Sequence, residues 1–116
     1  MDYGALHPGV RAFLEEAEQC PVLSPEEQAA LCARQLQGDT AAGEALLRAQ
    51  YPMLGDLIQH LPRDFKTPEL MRLLRERLEG LTADYDFCGD AAGFRRVFSR
   101  EMRAVVRRWM EDRTQI

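Results

Sequence analysis

The chain has 116 residues, 46 % of them hydrophobic and 29 % charged, the size and balance of one globular domain that can bury a core without a disulfide or metal staple. A formal net charge of −4 and a pI near 5.2 argue against a protein that coats itself in nucleic acid. No apolar run reaches membrane-spanning length, and Met1 to Val10 lacks the basic start and apolar stretch of a secretory leader, so a single helical domain over residues 1–116 in the cytoplasm, away from membranes, is expected.

Six prolines and eight glycines punctuate helical periodicity, with none of the alternation that marks strands. The first helix begins at Pro8, carries an apolar stripe of Val10, Phe13, Leu14 and Ala17, and closes at Cys20-Pro21. Ser24-Pro25-Glu26-Glu27 is a capping box with proline at the first helical position. Ala29, Ala30, Leu31, Ala33 and Leu36 follow, and Gly38 suits the left-handed residue that ends a helix. Asp39 caps a third helix from Thr40 to about Gln50, expected to bury Ala41, Ala45, Leu46 and Ala49. Pro52 should kink or divide it before Met53, Leu54, Leu57, Ile58 and Leu61 continue the apolar face.

Thr67-Pro68-Glu69 repeats the cap-then-proline start, Leu70, Met71, Leu74 and Leu78 follow, and Gly80 is expected to stop that helix. A short loop or turn holds Asp84 to Phe87 and Gly89. Asp90 caps a last long helix with Phe94, Val97, Phe98, Met102, Val105, Val106 and Trp109 at helical spacing. The fold class this implies is an all-α bundle of about five helices.

The residues carry no catalytic constellation. Cys20, Cys32 and Cys88 are odd in number and none lies in a C-x-x-C pair, so reduced thiols with neither a zinc site nor a disulfide framework are expected. His7 and His60 have no partner pattern, Gly80, Gly89 and Gly93 make no phosphate loop, and Asp84 and Asp86 lack the rest of a calcium loop. An enzyme is not expected, nor a cofactor or metal.

Charge is unevenly spread. From Asp90 onward seven arginines face four acids, a local +3 that leaves −7 on the first 89 residues. Arg96, Arg100, Arg103 and Arg107 recur at steps of three or four and so line one side of the last helix, while Phe94, Phe98, Met102, Val105 and Trp109 line another. Two readings of the arginines stand side by side: a solvated face salt-bridged to the acidic first part, or a nucleic-acid-binding row suited to phosphates. The aromatics at this spacing read as core.

Leu23-Ser24-Pro25-Glu26-Glu27-Gln28, then Leu31-Cys32-Ala33-Arg34, then Gln37-Gly38-Asp39, resembles region 1.2 of sigma factors of the sigma-70 family, without a gap. The likeness continues through Gln50-Tyr51-Pro52-Met53-Leu54 into the opening of region 2. A second block, Glu69-Leu70-Met71-Arg72 to Tyr85-Asp86, has the length of region 2.2, and a third, Phe94 to Val105, lies where the family has its promoter-melting helix.

The resemblance implies the fold of sigma regions 1.2 and 2. It also implies docking on the clamp coiled coil of bacterial RNA polymerase core through Glu69, Arg72, Leu73 and Arg75, and contact with the −10 strand of promoter DNA, to which the row Arg96, Arg100, Arg103 and Arg107, read from charge and spacing, would add phosphate contacts. The family's polar-glycine run is replaced here by Arg72, Leu73, Leu74 and Arg75, and its base-trapping aromatics by Val97, Arg100 and Glu101. Those departures leave a second reading open: a degenerate sigma-like module or transcription regulator without initiation activity. Its partner would be a second polypeptide carrying the helix-turn-helix half, which this sequence does not reach. An unrelated helical interaction protein is the third reading.

Overall fold

A computed structural model describes residues 6–114; residues 1–5, part of the stretch read as lacking a leader, and residues 115–116 lie outside the described residues. Helix α1 (Pro8–Gln19) starts with proline, where a missing N–H costs nothing, and ends at Cys20. It buries the expected Val10, Phe13, Leu14 and Ala17. Helix α2 (Pro25–Leu36) has both halves of its capping box: the Glu27 N–H donates to Ser24 Oγ at 3.1 Å, and the Ser24 N–H donates to Glu27 Oε1 at 2.9 Å. Past its end Gly38 has φ +97°, the left-handed backbone that favours glycine.

Asp39 accepts from the Ala42 N–H at 3.1 Å and starts α3 (Thr40–Arg48). Pro52 marks a true division, because α4 (Tyr51–Gln59) begins anew one residue before it. Within α3 the buried residues are Ala42 and Leu46, while Ala41 and Ala45 are exposed and Ala49 is half-buried. Alanine is indifferent to facing in or out, so the larger Leu46 sets the register and brings Ala42, one turn earlier, inward.

A 3-10 turn at Arg63–Phe65 precedes α5 (Pro68–Asp84), where Thr67 Oγ1 accepts from the Leu70 N–H at 3.2 Å. Gly80 does not stop this helix. A mid-helix glycine costs only about 1 kcal/mol against alanine, and the buried Leu78 and Thr82 on either side hold the chain helical through it to Asp84. The expected short turn is a single helical turn, α6 (Phe87–Asp90), with Phe87 buried. Asp90 then accepts from the Gly93 N–H at 3.0 Å, closing a 3-10 turn at Ala91–Gly93 that feeds α7 (Phe94–Thr114).

With α3 and α4 taken as one broken helix, this is the expected all-α bundle of about five helices, without strands among the described residues. Helix α7 packs along α5, α2 against α3 and α6, and α1 against α4. The centre is formed by Leu54, Ile58, Leu74, Leu78 and Met102, all fully enclosed. An aromatic cluster adjoins it, with Phe87 and Phe94 centroids 4.7 Å apart and Tyr85 5.1 Å from Phe94. No helix of the described residues is long and apolar enough to cross a membrane.

Candidate nucleic-acid interface

Helix α7 divides cleanly by face. Phe94, Phe98, Met102 and Trp109 are buried, while Arg95, Arg96, Arg100, Arg103 and Arg107 are exposed and border one shallow depression with Ala92, Ser99 and Ala104. From Arg96 to Arg107 the helix advances about 16 Å, the length of about five stacked nucleotides of one strand. Among the described residues Arg95, Arg96, Arg103 and Arg107 have no acidic partner, so the proposed salt bridges to the acidic first part of the chain do not form there. Arg100 lies 4.0 Å from Glu101, which is itself held by Arg77 of α5. That α5–α7 pair engages Glu101, the acid nearest Arg100, and leaves Arg95, Arg96, Arg103 and Arg107 without an ion pair among the described residues.

The positions matching the family's base-trapping aromatics are Val97, half-buried, Arg100, exposed, and Glu101, half-buried. Phe94 and Phe98 are 1 % and 2 % exposed, so neither offers a ring face to a base. What α7 presents is positive charge on a rigid rod.

The α5 set is only partly gathered. Glu69 and Arg72 are exposed, with Arg72 bound to Glu76 at 3.0 Å, and Leu73 is half-buried at the core's edge. Leu74 is core. Arg75 turns the other way, its guanidinium 4.8 Å from the centre of the Phe13 ring and 5.7 Å from that of Tyr51, a cation–π contact across α1 and α4. Glu69, Arg72 and Leu73 therefore share a side from which Arg75 is withdrawn.

Two features escaped the sequence reading. One is an open cleft of about 1110 Å³ between α4, α7 and the start of α2, floored by Met53, Leu57, Leu61 and Val106 and edged by Arg95, Arg103 and Arg107. Val22, 82 % exposed, and Met110, 43 % exposed, lie on its lip. Both fall outside the periodic stripes, which was the available signal. The other is a meeting of Cys32, Asp86 and Cys88, whose donor atoms all lie within 4.8 Å of one another. A hydrogen bond with Cys32, and then burial, push the Cys88 thiol up to about 11. Cys20 is separate and donates to the Glu16 carbonyl at 3.3 Å. Nearby, burial and then Asp90 raise the Tyr85 hydroxyl above its ordinary range.

Compared with protein-family models, with curated proteins and with solved structures, the chain matches none.

Proposed function

We propose that this chain is a sigma-like component of bacterial transcription that docks on RNA polymerase and holds promoter DNA by its phosphates, along α7, without capturing bases. The observation that carries this reading is the arginine row of α7, exposed above buried aromatics, in which Arg96, Arg103 and Arg107 have no acidic partner among the described residues and only Arg100 lies beside an acid, Glu101. Arginine forks suit phosphate oxygens, and phosphate contacts fix position without reading sequence. The −7 on the first 89 residues opposes a polyanion, so DNA is held weakly by the chain alone and the polymerase supplies the rest. Docking falls to Glu69, Arg72 and Leu73, with Arg75 in a supporting place because its guanidinium is already engaged with Phe13.

Fluorescence anisotropy with a −10 strand and a scrambled strand, across a salt series, tests the DNA half. Four phosphate contacts to a single strand give a slope of log affinity against log salt of about −3. Arg103→Gln with Arg107→Gln should bring it to about half that, equally for both strands. Clear preference for the −10 strand, or no binding at low salt, would sink this half. A pull-down with the isolated clamp coiled coil, using Arg72→Glu, tests the docking half.

The apolar cleft beside the arginines favours one second reading, a sigma-like regulator that binds another polypeptide rather than starting transcription. Failure of both assays above would leave that reading in possession.

A further inference from the structure

We propose that Cys32, Asp86 and Cys88 form a binding site for a zinc-class divalent cation that straps α2 to the α6 turn, with a fourth position open to water. This is independent of the transcription reading. Cys32 comes from the middle of α2, and Asp86 and Cys88 from the N-terminal end of α6, so the fold itself brings the three together. Their donor atoms lie within 4.8 Å of one another. Tetrahedral zinc, with bonds of about 2.3 Å to sulfur and about 2.1 Å to oxygen, sets its donors about 3.5 to 3.8 Å apart. Closing that gap takes about 1 Å of side-chain movement. Cys88 is exposed and can swing, while the buried Cys32 provides the fixed point.

The donor chemistry selects the ion. Two thiolates and one carboxylate suit a borderline-soft cation and not magnesium or calcium, which take oxygen ligands. As the two metal–sulfur bonds form, the two thiol protons pass to solvent. The carboxylate is already oriented, because the Gly89 N–H donates to Asp86 Oδ1 at 3.0 Å. Such outer contacts aim a ligand at its metal. Gly89 also leaves the necessary room: a Cβ there would stand 2.4 Å from Asp86 Oδ2. A site exposed on one side, with three protein ligands, leaves water in the fourth position.

A location beside α2 gives the strap a purpose. Cys32 is the one residue of α2 that is buried, so a cation on its sulfur would reinforce the single point at which this helix enters the core.

The test is titration of the full, reduced, metal-free chain with cobalt(II) as a spectroscopic stand-in, followed by displacement with zinc. One cobalt per chain should bind, with a thiolate-to-cobalt charge-transfer band that zinc abolishes. Cys88→Ser and Cys32→Ser should each lose the band, and Cys20→Ser should keep it. Asp86→Asn and Gly89→Ala should weaken binding about tenfold or more. Cys88 is exposed, so its serine variant stays folded even if the one at buried Cys32 does not. No charge-transfer band on the reduced chain, or a band that survives Cys88→Ser, overturns the proposal.

Discussion

Helix α2 opens on a complete capping box, yet along Pro25–Leu36 it buries only Cys32 and leaves Leu36 77 % exposed. Helix α7 is entered through a 3-10 turn and buries Phe94, Phe98, Met102 and Trp109 along Phe94–Thr114. The two are held by different physics. Local hydrogen bonds decide where α2 begins, and its neighbours α3 and α6 then hold it by breadth of contact rather than depth of burial. Apolar transfer and close packing hold α7, so its outer face can carry Arg96, Arg103 and Arg107 without ion pairs. A helix fastened from one side in this way is free to present the other to a partner.

The sharpest way to break the contrast is to hollow the α7 contact. Phe98 is 2 % exposed, and Phe98→Ala should lower unfolding free energy by about 3–5 kcal/mol, the cost of lost transfer plus a cavity. Urea denaturation followed by circular dichroism measures it. A loss below about 1 kcal/mol would mean that α7 is not fastened by its buried stripe.

The corresponding change in α2 is removal of its cap. Ser24→Ala deletes the acceptor for the Glu27 N–H and should cost about 0.5–2 kcal/mol. That is clearly less than Phe98→Ala, and the same denaturant midpoints compare the two. An unchanged midpoint would show that the helix is positioned by its neighbours and not by its first turn.

The same contrast explains what could be read from the chain unaided. Caps are local: Ser24 to Glu27, Asp39 and Thr67-Pro68 each sit beside the amide they serve, so these helix starts are legible. The α7 stripe and arginine row follow from periodicity. Helix ends are less legible, because Gly80 is a weak stop that Leu78 and Thr82 override by packing. Alanines say little about register, and Ala41 and Ala45 proved to lie outside. Nothing local joins Cys32 to Cys88, or Arg75 to Phe13; those meetings depend on how α2 packs on α6 and α5 on α1. The absence of acids opposite Arg96, Arg103 and Arg107 is likewise a property of the packed bundle.

A smaller effect should follow from Leu36→Ser. A leucine that α2 leaves in water gains nothing from folding, so the change should stay within about 0.5 kcal/mol in either direction. A larger loss in the same denaturation assay would show that Leu36 is covered in solution, by a second copy or by a partner, and that α2 buries more than Cys32.

The smallest effect concerns the joint between α2 and α3. Asp39 accepts from Arg34 of α2 at 2.7 Å and from the Ala42 N–H of α3 at 3.1 Å. The Arg34 hydrogen bond first, and the Ala42 amide second, hold its carboxyl below the usual carboxylate value. A folded pKa below the unfolded one means that the folded state favours the ionised form. Its contribution is therefore present above the unfolded value of about 3.9 and is lost as pH falls through the lower folded value. Asp39→Asn keeps a good N-cap, since asparagine serves there as well as aspartate, but it has no charge to lose. The midpoint difference between the native chain and Asp39→Asn should be small at neutral pH, because the pair is solvent-exposed and screened. It should then shrink to nothing as pH is lowered through the acidic range. Urea midpoints at a series of pH values decide it. A difference that stays constant with pH would mean that Asp39 acts only as a cap and that Arg34 adds no hold between the two helices.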